Sequence, residues 1–212
     1  MKLKMKPHNQ PGTLIVFEGL DGSGKTTQIE LLSNFLKMEG FEVHLTKQPT
    51  EFVRKTDIFR TYMDKENHTS YDYLALSLLC ASDRVQHSNR EILPLLQEGK
   101  IVIADRYYYS CLANLIAREY KEQKWIYEIA QFVPRPDVSF FLDIDVETAI
   151  RRVQNRQNEK NRYIDIDLQY ALKSNFLEIA KKNDGIVLET DKNLNLCFEI
   201  VKASVKGVMG NV

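Results

Sequence analysis

Long apolar runs are missing from this sequence, and none approaches the ~18 residues that a membrane-spanning helix needs. Cysteine is scarce as well. Cys80, Cys111 and Cys197 are odd in number and far apart, so neither a disulfide framework nor a cysteine zinc pattern is expected. A reducing cytoplasm is the simplest setting for such a chain. The four histidines, His8, His44, His68 and His87, lack ligand spacing, and no metal centre is expected from them. Neither sign of charge is in excess: 29 Lys plus Arg against 29 Asp plus Glu give a formal net charge of zero. General binding to nucleic acid or to a membrane surface is therefore not expected. What remains is a chain of 212 residues, 43% hydrophobic and 27% charged, long enough for one large α/β domain with a buried core.

Glycine is sparse too, but three of the nine fall in Gly19-Leu20-Asp21-Gly22-Ser23-Gly24-Lys25-Thr26. That stretch fits G-x-x-x-x-G-K-[ST], the phosphate-binding loop signature. Glycines let backbone N–H groups turn inward and come close to phosphate oxygens. Lys25 brings a positive charge to the β and γ phosphates, and the Thr26 hydroxyl can sit on Mg²⁺. A helix beginning here would also point its positive end at the anion. Both flanks agree. Leu14-Ile15-Val16-Phe17 reads as a buried parallel strand, and Ile29, Leu32, Phe35 and Leu36 recur at helical spacing. A chance glycine-rich turn would lack both.

Further apolar segments alternate with helical ones. Strands are expected at 41–45, 101–104, 138–143 and 185–189, five in all with the first. Helices are expected from Thr50 as a cap to about Met63, from Tyr71 to about Gln97 with a kink or break at Pro94, and over 111–120, 124–132, 146–156, 165–182 and 194–207. In the second of these, Leu74, Leu78, Ala81 and Val85 form one apolar stripe. Such alternation implies a parallel, doubly wound sheet, with ligands beyond the carboxyl ends of its strands. Residues 1–12, basic and without an apolar segment behind them, read as a frayed tail rather than a secretory signal. Residues 13–212 read as a single domain, with a polar, aperiodic segment near 157–165.

Around that crevice several residues can carry chemistry. Asp105 ends an apolar strand, where a phosphate-loop protein places a group for Mg²⁺, directly or through water. Its neighbour Arg106 has a planar fork suited to phosphate, although a structural ion pair is the plainer reading. Arg84, one turn after Cys80 and three residues before His87, could reach a base or a phosphate, or simply face solvent. Arg151, Arg152, Arg156 and Arg162 could supply electrostatic stabilisation, or some of them could form a solvated face. Tyr107, Tyr108 and Tyr109 could stack on a base or fill core.

Taken together, the chain resembles the thymidylate kinases, within the nucleoside monophosphate kinases. The matches are Phe17 to Thr27, Asp105-Arg106-Tyr107 with Ser110, and Arg135-Pro136-Asp137 leading to Leu142-Asp143. The resemblance implies a P-loop NTPase three-layer sandwich, a five-stranded parallel sheet flanked by helices, with a short lid at about 157–165. It implies ATP as phosphate donor, Mg²⁺ as cofactor and a homodimer. Lys25, Arg106, Arg156 and Arg162 are then the candidates for catalysis. Gly19, Asp21, Gly22, Ser23, Gly24, Lys25, Thr26, Thr27 and Arg152 would bind ATP, with Arg152 against the adenine. Asp21, Lys47, Pro49, Cys80, Arg84, Arg106 and Tyr107 would bind the acceptor, and Thr26 and Asp105 the metal. Gly22 stands where some members carry an arginine, which moves the expected catalytic arginine to the lid. Cys80 replaces the usual stacking phenylalanine, and Lys47-Gln48-Pro49-Thr50 departs from Arg-Glu-Pro-Gly.

The expected reaction is transfer of the γ-phosphoryl group of ATP to a nucleoside 5′-monophosphate, with dTMP the first choice. Two rivals stand beside it. A kinase for another monophosphate or a deoxynucleoside would need, in the latter case, a carboxylate base such as Glu18 or Asp105. A regulatory ATPase or nucleotide switch would release phosphate without an acceptor.

Overall fold

The computed structural model describes residues 2–63, 69–120, 124–157, 164–191 and 193–210. Its strands are β1 (Thr13–Gly19), β2 (Val43–Lys47), β3 (Ile101–Asp105), β4 (Val138–Asp143) and β5 (Ile186–Glu189). All neighbours pair in parallel, in the order β2-β3-β1-β4-β5. The helices are α1 (Lys25–Met38), α2 (Glu51–Arg54), α3 (Asp57–Met63), α4 (Tyr73–His87), α5 (Leu93–Gln97), α6 (Tyr108–Ala117), α7 (Lys124–Ile129), α8 (Val146–Gln154), α9 (Ile166–Lys182) and α10 (Leu194–Met209).

The apolar runs are explained by cover on both faces of the sheet. Along β1, Leu14 and Val16 enter one core while Ile15 and Phe17 enter the other. The first core is closed by α4, α6 and α9 through Ala81, Leu112 and Phe176, the second by α1 and α10 through Leu32 and Val201. The result is the three-layer α/β arrangement expected of a P-loop NTPase. Because every strand is parallel, all five carboxyl ends lie on one edge, and the phosphate loop emerges from the central strand.

Four local expectations are corrected. The helix expected from Thr50 to Met63 is two helices. The Thr50 side chain does not cap; its hydroxyl donates to Asp83 Oδ1 at 2.5 Å and its N–H to Oδ2 at 2.8 Å. The Thr56 hydroxyl then bonds the Val53 carbonyl at 2.7 Å, at the break between α2 and α3. Pro94 does not break the helix it follows. A π-helical turn over Ser88–Ile92 leads into α5, where Pro94 occupies the first turn.

Leu78 leaves the expected stripe. It is 45% exposed, whereas Ala81 on the same helix is fully buried. Residues 2–12 are docked rather than frayed. Leu3 and Met5 alternate into the first core, the Lys6 carbonyl accepts from the Arg135 N–H at 2.7 Å, and Lys2 and Lys4 pair with Asp184 and Glu128. Alternation of apolar and basic residues gives this segment one face to bury. The lid expected at 157–165 falls largely on 158–163, outside the described residues, as does Arg162.

Candidate active site

The loop after β1 is held by its glycines. Gly22 and Gly24 adopt φ of +85° and +95°, values that L side chains rarely take. Gly22 is constrained from outside as well: a Cβ there would collide with the carbonyl oxygen of Ala149 in α8. A side chain at this position would be strained by the backbone and would require α8 to move. α1 begins at Lys25, directly after the loop, so its free N–H groups face the same space.

Lys25 is 6% exposed, and its Nζ donates to the carbonyl oxygens of Gly19 at 3.1 Å and Leu20 at 2.7 Å. Burial, with help from the charge on Arg106, lowers its pKa to about 8 against the pull of Asp21, Asp105 and Glu18. A first cavity runs from this loop past Lys47, Asp105, Arg152 and Arg156 to Thr190, Leu194 and Cys197. Thr26 and Thr27 line it. Arg152 is tied to the loop by a 3.2 Å bond from Nη1 to the Gly22 carbonyl.

Beyond β3 the chain turns sharply. Arg106 has φ +69°, a left-handed conformation uncommon for a non-glycine residue. It is held there from both ends. Its N–H bonds the Phe17 carbonyl at 2.8 Å, Nη2 bonds Asp21 Oδ1 at 2.6 Å, and Nη1 bonds the Ser110 hydroxyl at 3.3 Å. Burial works against its charge, but Asp21, Asp105 and Glu18 outweigh burial and raise its pKa. Arg106 stays cationic at any working pH.

Glu18 is the hidden support of this turn. It is fully buried, and its carboxylate accepts from the N–H of Tyr107 (2.7 Å), the N–H of Ser110 (3.2 Å) and the Ser110 hydroxyl (2.6 Å). Burial raises its pKa, while Arg106 and these donors act the other way. A carboxylate so engaged and out of contact with either cavity is not available as a base.

The left-handed turn also decides the fate of the tyrosines. Tyr107, Tyr108 and Tyr109 are all core, at most 2% exposed. The Tyr107 hydroxyl bonds the Pro134 carbonyl at 2.9 Å and that of Tyr108 the Ile126 carbonyl at 2.9 Å. Tyr107 therefore does not reach the acceptor with its side chain; its carbonyl instead accepts from Arg84 Nε at 3.1 Å. His87 also turns away, bonding Thr46 and Gln48 behind the cavity wall.

A second cavity opens on the other side of Asp21. Asp21, Lys47, Pro49, Cys80, Arg84 and Arg106, the residues proposed from the sequence apart from Tyr107, line it together. Arg54, Arg118, Tyr62, Tyr73 and Asn114 line it too and were not anticipated. Arg54 had a faint signal: it falls one helical turn after Thr50, and its Nε returns to the Pro49 carbonyl at 2.7 Å. Asn114 and Arg118 lie one turn apart at the end of α6, while Tyr62 and Tyr73 come from α3 and α4, so the four leave no joint pattern in the sequence. The two cavities share Asp21, Lys47 and Arg156. Arg151 lies in neither; it is exposed and bonds Thr148 within its own helix.

Whether Mg²⁺ fits can be judged from the donors present. Asp105 Oδ1 is buried and lacks a hydrogen-bond partner, while Oδ2 pairs with Lys47 at 3.1 Å. Among the described residues no cluster of three or more metal-ligating side chains exists. One carboxylate with an unspent oxygen beside a phosphate loop suits an ion that keeps several waters and takes the rest of its ligands from phosphates.

Comparison with known proteins agrees with this geometry. The family model for thymidylate kinase matches residues 17–201. A probable thymidylate kinase from Pyrococcus horikoshii is 40% identical over 172 residues, 80% of this chain and 83% of that protein. The thymidylate kinase of Geobacillus sp. (strain WCH70) is 34% identical over 203 residues, 92% of this chain and 96% of its own length. A phosphate loop, a guanidinium bridging it to a second cavity, and a family match across both make this chain a member of the thymidylate kinase family.

Proposed function

We propose that the protein transfers the γ-phosphoryl group of ATP to dTMP, giving dTDP and ADP. The observation that carries this reading is the pair of cavities joined at Asp21, Lys47 and Arg156. A triphosphate on the loop and a monophosphate in the second cavity would meet at that junction. The acceptor phosphate oxygen is already anionic and needs no general base. It attacks the γ-phosphorus in line, and the bond to the β,γ-bridging oxygen breaks with its electrons leaving on ADP. The protein's work is to hold two polyanions together and to stabilise the charge between them.

Lys25 would hold the β and γ oxygens, and Arg106 the acceptor phosphate, oriented by Asp21. Arg156, at the junction, and Arg162 are our candidates for the charge that develops in the transition state. Thr26 and Asp105 would hold Mg²⁺, which neutralises the donor oxygens. Arg152, bonded beside Gly22, would lie against the adenine. Closure of the segment around 157–165 would keep water from the γ-phosphate.

We also propose a homodimer formed through the outer face of α4. Leu78 (45% exposed) and Phe132 (58% exposed) border a shallow groove there with Val85 and Ile129. A cytoplasmic location fits the thiols of Cys80 and Cys111, which line the acceptor cavity and would need reducing surroundings to persist. No helix among the described residues is long and apolar enough to cross a membrane.

A coupled ADP assay with dTMP, dUMP, dCMP, dGMP and thymidine tests the function. Stimulation by dTMP above all others is expected. Equal ADP production with and without every acceptor would overturn it.

A further inference from the structure

We propose that Arg118 is a second base-reading residue of the acceptor cavity, acting with Arg84 to select a base that presents two carbonyl oxygens. This rests on the reading of that cavity as the acceptor site.

Arg118 follows α6, and its guanidinium carbon lies 3.8 Å from the centre of the Tyr73 ring and 5.3 Å from that of Tyr62. Its edge is fixed as well. Nε donates to the Tyr62 hydroxyl at 2.7 Å, Nη2 donates to the same hydroxyl, and Nη1 donates to Asn114 Oδ1 at 2.7 Å and to the Asn114 carbonyl at 3.3 Å. A guanidinium has five N–H groups. Four are spent, and one on Nη2 has no partner among the described residues. An arginine stacked on one aromatic ring and pinned to another is rigid, so little side-chain freedom is lost when it binds.

Arg84 faces the same space from α4. It is 2% exposed and spends Nε on the Tyr107 carbonyl and Nη1 on the Cys80 carbonyl at 3.0 Å. Among the described residues neither arginine forms a salt bridge. Between them the wall holds Cys80, Cys111 and Asn114. Burial raises the pKa of both thiols, that of Cys111 to about 12, so neither supplies a negative charge. The Asn114 oxygen is already taken by Arg118.

Two cations with unspent donors and no carboxylate partner favour electron-rich ring oxygens and oppose an exocyclic amino group. A 2,4-dioxopyrimidine supplies such oxygens on both sides of its ring nitrogen. Cytosine replaces one of them with a donor that would face a guanidinium.

The test uses the full chain with Arg118→Met and Arg118→Lys, assayed against dTMP, dUMP and dCMP at saturating ATP, with melting curves to confirm folding. For Arg118→Met we expect the dTMP KM to rise roughly ten- to hundredfold, the range for hydrogen bonds to a charged group. The preference for dTMP over dCMP in kcat/KM should fall by a similar factor. kcat for dTMP and KM for ATP should stay within about threefold of wild type, because a base contact made equally in ground and transition states moves KM alone. Arg118→Lys keeps the charge but loses the fork and the stack, and should recover only part of the loss. A folded Arg118→Met with unchanged dTMP KM and unchanged preference would overturn the proposal, as would a loss confined to kcat. If Arg118→Met does not fold, Arg118→Lys carries the same readout, and an unchanged preference there overturns it. The wild-type arm is separate: without dTMP-dependent ADP the proposed function fails, whatever the variants do.

Discussion

The donor and acceptor halves of the crevice are built from different materials. The phosphate-loop side is built around backbone: a loop of three glycines, the N-terminus of α1, and one lysine folded onto the carbonyls of Gly19 and Leu20, with Asp105, Arg152 and Arg156 farther along the cavity. The acceptor side is built from side chains of α2, α4 and α6 and the end of β2: Arg54, Arg84, Arg118 and Lys47. Backbone geometry tolerates little change. Gly22 cannot gain even a methyl group without striking Ala149. Side chains can be exchanged one at a time, and Cys80 and Lys47 show this exchange against the family pattern. On the proposed function, the half built around the glycine loop would take the common donor, and the half lined by exchangeable side chains would tell one acceptor from another.

That contrast can be broken at several points. The largest effect is expected on the donor side. Lys25→Ala should lower kcat roughly a hundred- to a thousandfold, the cost of removing one preorganised donor from a buried site. Wild-type-like turnover would mean that the loop does not hold the transferred phosphate. Next comes Gly22→Ala. Collision with Ala149 and a φ of +85° should destabilise the fold by about 1–3 kcal/mol and raise the ATP KM, read by thermal melting and by ATP titration. An unchanged melting temperature would contradict the tight packing of loop against α8.

On the acceptor side, Lys47→Met should raise the dTMP KM by roughly tenfold, less than for a buried contact because the lysine is half-exposed. It should also alter the Mg²⁺ requirement, since Lys47 neutralises Asp105. The smallest effect is a pH dependence. Lys25, with a pKa of about 8, is charged below that value and neutral above it. Phosphates favour the charged form, so kcat/KM for ATP should fall as pH rises through about 8 while the dTMP KM changes less. A flat profile between pH 7 and 9 would show that Lys25 keeps its proton in the free enzyme.

The same contrast explains what could be read from the sequence. The phosphate loop lies in one contiguous stretch, so Gly19 to Thr26 could be placed from spacing and flanks alone. Strand order needed the structure, although the five apolar runs were visible. The acceptor half was only partly legible. Arg84 stood out by its place beside Cys80 and His87, and Lys47 and Pro49 by following a strand, but their roles, like that of Cys80, were reached through resemblance. Arg118, Tyr62 and Tyr73 were missed because their meeting depends on how three helices pack, which no local period encodes. Tyr107 was misplaced for a backbone reason. The left-handed Arg106 turns the chain so that the next side chain enters the core, and nothing in Asp-Arg-Tyr announces that turn. The docking of residues 2–12 was hidden by lysines, which masked the alternation of Leu3 and Met5.

The destination of the γ-phosphate is the most direct test of the whole account. With ATP, Mg²⁺ and dTMP present, phosphorus NMR of the products should show dTDP and ADP rising together in equal amounts, with little inorganic phosphate. Inorganic phosphate accumulating at the same rate with or without dTMP would contradict it.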